Sequence, residues 1–322
     1  MKKGLLITLI FCVVLFLAGA AFLIVGLATG GKIFFTVDYK NRKVNTSSNL
    51  ELITGEQELN EFDSIDIDIS AAEVTVVEGD GYKVKYALYE NVEPTISVDD
   101  KKLSMKTEIE SGTFSLDLFG NDPEKETPYV EITVPAGKKF ETVNICTNAG
   151  DINLDGYEIT TLMVQSNAGN SDLKNLSVGS IDLDLNYGKV KIVDTEATDV
   201  SVKASAGNAE ISGLIADSAT FDMNCGELDV LTSELGRLEA KQNLGKVKVD
   251  ETKIDNIDIE ADAGDVSLGL IGEKADYYFD IDSSAGDITV DGEKKENDYN
   301  ANSGKDKTIK IETNAGSVSI DF

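Results

Sequence analysis

The chain has 322 residues, 58 acidic against 29 basic, and a formal net charge of −29. That surplus excludes a nucleic-acid partner, which needs clustered Lys and Arg, and predicts repulsion from anionic lipid headgroups. With no His and no Trp there can be no His-based triad or His zinc site, and a hydrophobic share of 41% is too high for a disordered acidic tail.

In chain order, Lys2 and Lys3 precede an uncharged run from Gly4 to Gly31 whose apolar heart is residues 5–28. A signal-peptide core is about 7–15 residues and a spanning helix about 20, so the run predicts an uncleaved N-terminal transmembrane helix. The small residues Leu17 to Ala21 fall inside the run rather than after it. Cys12 follows Phe11, which argues against lipidation. The two N-terminal lysines predict a cytoplasmic N-terminus and a cell-membrane protein with its bulk extracytoplasmic. Residues 1–31 are thus the anchor, and polar 32–60 reads as a tether with at most one short strand. Residues 61–140 carry irregular alternating runs such as Ile65/Ile67/Ile69 and Val84/Tyr86/Leu88. They predict an irregular β region of antiparallel hairpins that caps the rest of the chain.

From residue 141 onward a glycine returns every nineteen residues: Gly150, Gly169, Gly188, Gly207, Gly226, Gly245, Gly264. Gly286 and Gly316 come next, at spacings of 22 and 30. A fixed period of this length marks a stacked repeat. Apolar residues sit seven, five and three positions before the glycine (Leu162/Val164/Ser166, Ile181/Leu183/Leu185) and two and four after it (Ile152/Leu154, Val190/Ile192). Period-two alternation on both sides of a turn means two strands per repeat, each with one buried face. A ninth position after the glycine, Ile159 to Ile254, adds a further inward contact. The glycines are the expected turn residues, where the backbone needs positive φ or close approach to the next rung. Asn, Ser or Asp stands two residues earlier (Asn148, Asn167, Asn186, Ser205, Asn224, Asn243, Asp262), which predicts a polar ladder along the stack. The fold class is therefore all-β: a β-solenoid of roughly 19-residue rungs over 141–322, with the irregular β region before it. Residues 291–307 read as a polar, mobile insertion loop, and Tyr299 and Phe322 as plugs for the open end.

The turns Asn148-Ala149-Gly150-Asp151-Ile152, Asn167-Ala168-Gly169, Ser284-Ala285-Gly286-Asp287-Ile288 and Asn314-Ala315-Gly316 resemble the repeated motif of bacterial envelope proteins called putative adhesins, the LiaG-like group. Ile132-Thr133-Val134-Pro135-Ala136-Gly137 is similar to the segment that often precedes their repeats. The resemblance spans roughly 62–322 and implies an extracytoplasmic β-repeat domain, associated in LiaG-like members with envelope-stress systems. It carries no catalytic residues. Tyr187, Cys225 and Leu244 depart from the motif by replacing the small residue before the glycine.

Paired acids recur at Asp66/Asp68, Asp182/Asp184, Asp258/Glu260/Asp262 and Asp280/Asp282. Two carboxylates can cleave a glycosidic bond, but alternate outward positions of strands are where solvated charge belongs. The residue after the glycine includes Lys189 and Lys246, which argues against a calcium ladder, and leaves only weak divalent-cation binding by the acids of 258–265. Cys146 and Cys225 lie four repeats apart, about 19 Å, too far for a disulfide. No catalytic, cofactor-binding or metal residue is assigned and no cofactor is expected. The chain reads as a membrane-anchored, adhesin-like scaffold without catalysis, binding a wall polymer or envelope protein. The alternatives are a regulatory accessory of an envelope-stress system and, further off, a glycan-acting β-helix enzyme.

Overall fold

The computed structural model describes residues 34–38, 43–45, 52–90, 92–109, 113–117 and 127–322. The expected anchor, 1–31, lies outside the described residues, and no helix among these is long and apolar enough to cross a membrane. The chain divides into two units, Met1–Glu51 with Ile109–Glu126, and Leu52–Glu108 with Thr127–Phe322. In the first, Phe34–Asp38 pairs antiparallel with Lys43–Asn45 and with Thr113–Asp117. The stretch 32–60, expected as a tether with at most one short strand, thus contributes two strands here and a third, Leu52–Glu58, to the second unit.

The second unit is the repeat. Equivalent strands stack parallel with a register of nineteen: Val164 pairs with Leu183, and Leu183 with Val202. All three side chains are buried. The columns before and after the glycine face inward as the alternation predicts, and so does the ninth position, with Ala197 half-buried.

The regular rungs, from Gly150 to Gly245, each turn at two left-handed corners, of which the glycine is one. Its φ runs from +132° at Gly150 to +154° at Gly264. The conformation matters less than the crowding. A Cβ at Gly207 would stand 1.7 Å from the Gly188 carbonyl oxygen, and at Gly264 1.4 Å from that of Gly245. The second corner lies six residues on, at Gly156, Asn175, Asp194, Gly213, Thr232 and Glu251, all with positive φ. The next residue points inward whatever its polarity: Tyr157, Leu176, Thr195, Leu214, Ser233, Thr252. Buried hydroxyls need partners, and these find them on the backbone. The Thr252 hydroxyl donates to the Asp250 carbonyl (2.8 Å) and accepts the Ser233 N–H (3.3 Å). Ser233 repeats the arrangement one rung earlier, on Leu231 and Leu214.

At the start, the expectation of antiparallel hairpins over 61–140 holds only for the outer strands. Leu52–Glu58 pairs antiparallel with Lys83–Tyr89, which pairs antiparallel with Tyr129–Val134. Ser64–Ala71 and Glu73–Glu78, by contrast, are a true rung, parallel to Lys139–Ala149 and Ile152–Asp155. Ile65, Ile67 and Ile69 supply its inward column, and Ala72 stands where later rungs carry glycine. Lys102–Ile109 adds a further parallel strand outside it.

The far end departs from chain order. Lys307–Ala315 lies between Glu234–Ala263 and Tyr277–Ser283, parallel to both, and Val318–Asp321 likewise lies between Val266–Leu270 and Ile288–Val290. The last rung in sequence is therefore the penultimate one in space, and the glycine column runs Gly264, Gly316, Gly286. The insertion 291–307 is not a loose loop. Its strands Glu293–Lys295 and Asp298–Ala301 run antiparallel along the Gly286 rung. Short, charged strands of this kind blunt an open sheet edge. Tyr299 and Phe322 serve as end plugs: Tyr299 packs on Phe279, and Phe322 on Phe279 and Tyr277, at ring separations of 5.5–6.1 Å.

Candidate functional site

With the inward positions filled by core, chemistry is left to the outward columns. Four residues before the glycine stand, rung by rung, Asp68, Cys146, Gln165, Asp184, Lys203, Asp222, Lys241 and Glu260. From Asp184 onward acids and lysines alternate across the ladder, which suits neighbouring outward positions. Two residues before the glycine runs the predicted polar ladder. Asn167 donates to Asn148 (2.7 Å), Asn186 to Asn167 (2.5 Å), Ser205 to Asn186 (3.3 Å) and Asn243 to Asn224 (2.7 Å). The inserted rung keeps it, with Asn314 donating to Asp262.

The candidate acids sort by these neighbours. Asp182 and Asp184 share one strand face and point to solvent. Asp66 is partly covered; burial opposes its ionisation, but hydrogen bonds from Lys102 and Asn144 (3.0 Å each) outweigh that and hold its carboxyl below the usual range. In the 258–265 cluster, Asp258 lies 3.5 Å from Arg237 and Glu260 3.6 Å from Lys241. Asp262 accepts from Asn314, and Asp265 accepts the Ser317 N–H at 2.9 Å. The residues after the glycines are engaged likewise: Asp151 accepts the Asn170 N–H (2.7 Å), and Asn170 accepts that of Lys189 (3.0 Å). Among the described residues no group of three or more His, Cys, Asp or Glu is placed to hold a metal ion.

The outward face is concave over the first rungs. A groove of about 290 Å³ runs over the first rungs between the two columns. Its lining includes Asp68, Cys146, Gln165 and Asp184 on one side and Asn148, Asn167 and Asn186 on the other, with no lysine or arginine. The column carries no cation here; farther along, Lys203 and Lys241 occupy the same positions. A second groove, about 390 Å³, flanks the other side of the column and is bounded by Met163, Asp182 and Lys203. Burial, and then the Asp68 and Asp66 carboxylates, push the Cys146 thiol upward, which keeps it protonated near neutral pH; it points to Gln165 Oε1 at 3.5 Å. Cys146 and Cys225 are both free thiols, as their separation requires.

A second outward feature runs along the glycine corner. Tyr187, Ala206, Cys225 and Leu244, the residues just before consecutive glycines, stack across the ladder. Tyr187 is 65% exposed and Leu244 55%. The predicted turn glycines are themselves brought into one column, with no room for a ligand between them.

A sequence model of the Toastrack family, DUF4097, matches residues 62–321. The chain belongs to the Toastrack family. The match begins at Phe62, a fully buried ring at the start of the first rung, and so takes in every rung of the stack. Among solved structures, a putative adhesin from Bacteroides fragilis is similar at 15% identity over 84% of this chain and 96% of that one, with a TM-score of 0.44. A putative adhesin from Parabacteroides merdae is similar at 13% identity over 85% and 97%, with a TM-score of 0.43. No curated protein matches the chain. The sequence-based resemblance to the putative-adhesin β-repeat group thus agrees with the Toastrack match.

Proposed function

We propose that this Toastrack chain is an adhesin-like binding module of the cell envelope, held to the membrane by residues 1–31 with its repeat outside the cytoplasm. The observation that carries the reading is the groove over the first rungs: a concave, amide-lined strip with no lysine or arginine in its lining. A stacked sheet holds such a strip rigid, so little ordering entropy opposes binding. The reading is of binding without catalysis. Asp68 and Asp184 stand three rungs apart, about 14 Å at the usual strand spacing, beyond the ~5–9.5 Å that glycoside hydrolysis uses. Asp182 and Asp184 stand side by side on one strand instead of facing each other across a cleft.

Two measurements test this. Protease added to intact cells should degrade the 62–321 region while leaving a cytoplasmic marker untouched; protection of the region contradicts the extracytoplasmic placement. Full-length protein in detergent, which shields residues 1–31, should co-sediment with detergent-extracted envelopes through the repeat, and a protein that stays wholly in the supernatant contradicts the binding reading.

A further inference from the structure

The groove has a chemistry that selects its occupant. Interior members of the asparagine ladder use one N–H and one carbonyl lone pair on each other, and an amide has two of each. The remaining donors and acceptors, together with the Gln165 amide and the Asp68 and Asp184 carboxylates, line a single strip. Donors and acceptors closely interleaved, with no cation among them, suit hydroxyl and acetamido groups, which both give and take hydrogen bonds.

Other classes of occupant fit less well. An anionic polymer meets two carboxylates in the groove and a net charge of −29 overall, with no lysine or arginine in the lining. A divalent ion would need oxygens converging at about 2.0–2.6 Å, whereas the two carboxylates are three rungs apart. An extended peptide that adds a strand needs a free sheet edge, and this groove lies on a face whose backbone is already paired on both sides.

The groove also repeats along its length. Rungs recur about every 4.8 Å, close to the length of one sugar unit in an extended chain, so successive rungs can offer equivalent contacts to successive units. At one end Tyr187 follows Asn186, its ring standing mostly in solvent. An exposed aromatic ring offers an apolar face beside a polar tip, which suits the C–H face of a sugar ring. Most of the family-like turns have alanine there, as at Ala149 and Ala168.

We infer that the strip from Asp68 to Tyr187 is a binding site for a neutral glycan strand bearing hydroxyl and acetamido groups. This rests on the envelope-binding reading and names its ligand class and its face.

The test uses the full-length protein and a β-1,4-linked N-acetylglucosamine hexamer as the probe, titrated by calorimetry. The single sugar and an oligogalacturonate of equal length serve as comparators. The hexamer should bind more tightly than the monomer, and the anionic oligomer more weakly than the hexamer by about tenfold or more. Gln165→Lys places a cation in the strip, and Tyr187→Ala removes the ring; each should weaken hexamer binding by about tenfold or more. Lys241→Gln and Leu244→Ala, at the same two columns farther along the stack, should leave it unchanged. All four sites are outward, and circular dichroism checks that each variant keeps its strand content. Absence of hexamer binding, or binding indifferent to Gln165→Lys and Tyr187→Ala, overturns the inference. Envelope co-sedimentation separates the two claims. Wild-type protein that sediments with envelopes but ignores the hexamer refutes the glycan site and spares the envelope reading. Protein that does neither refutes both. Capture of a crosslinked protein through Gln165 with no hexamer binding also refutes the glycan site.

Discussion

The two corners of each rung from Gly150 to Gly245 are both left-handed, yet only one is written into the sequence. At the glycine corner the carbonyl of the neighbouring rung sits where a Cβ would be, so nothing but glycine fits from Gly150 to Gly264. At the second corner no backbone stands in the way: a Cβ at Gly156 meets nothing within 4 Å, and at Gly213 its only close contact is the end of the Asp194 side chain. There Asn175, Asp194, Thr232 and Glu251 all adopt φ near +50°. A left-handed residue costs about 1–2 kcal/mol when it is not glycine, an amount a well-packed rung can absorb. A backbone collision cannot be absorbed without moving the rung. What the nineteen-residue period records is steric exclusion, and the backbone conformation alone leaves hardly a trace.

That contrast can be broken from either side. Gly207→Ala adds one methyl into the Gly188 carbonyl and should cost more than about 3 kcal/mol or prevent folding, since a large loss needs a named collision of this kind. A denaturation midpoint within error of wild type would show that rungs slide past each other freely. Leu183→Ala, in the inward column beside it, should cost about 2–5 kcal/mol. Gly156→Ala should cost only about 1–2 kcal/mol, the penalty of the conformation without the collision. If urea unfolding ranks Gly156→Ala with Gly207→Ala, the two corners are not different in kind. Asp184→Asn, at an outward position, should change stability by no more than about 0.5 kcal/mol.

The start of the stack responds to pH through its own contacts. Asp63 is held below its ordinary 3.8 by hydrogen bonds from Lys138 (2.5 Å) and Lys101 (3.1 Å), and Asp66 lies below it too. A depressed carboxyl stabilises the fold above its unfolded pKa and loses that contribution as pH falls through the folded value. The first rung should therefore loosen below pH 3.8, seen as faster amide exchange in Ser64–Ala71 than in the central rungs. Burial pushes the Tyr157 phenol from 10.0 up to about 12. Its stabilising share is complete below pH 10 and should disappear as pH climbs towards 12, readable as alkaline unfolding that Tyr157→Phe shifts upward.

The repeat, its inward columns and the Asn148–Asn186 ladder were legible in the sequence because each obeys one rule at one spacing. Thr195, Ser233 and Thr252 were not recognised as inward because their polarity suggests solvent. Their burial depends on backbone partners that only the corner geometry supplies. The second corner was hidden by its mixed occupants. The interleaved last rung was hidden for a different reason: a pairing 52 residues apart, such as Asp258 with Lys310, leaves no periodic mark. The Ala-Gly turns at Gly286 and Gly316 are also interchangeable by motif. The groove escaped notice because its amides occupy ordinary outward positions; the signal that could have found it is the missing lysine in the column Cys146, Gln165, Asp184. The glycan-enzyme alternative needs two facing carboxylates, and the groove lining supplies no facing acid pair.

Stacking by the glycine column, regardless of chain order, is the claim on which the rest stands, and a cysteine crosslink reads it directly. In a chain whose native cysteines are changed to serine, Asp258→Cys with Lys310→Cys places the pair on adjacent strands. Their separation of about 4.8 Å is one a disulfide accepts. Asp258→Cys with Asp280→Cys places the pair two strands apart, at about 9.6 Å. Mild oxidation should close the first pair and leave the second open. Closure of the second pair alone would put the rungs in sequence order and contradict the account.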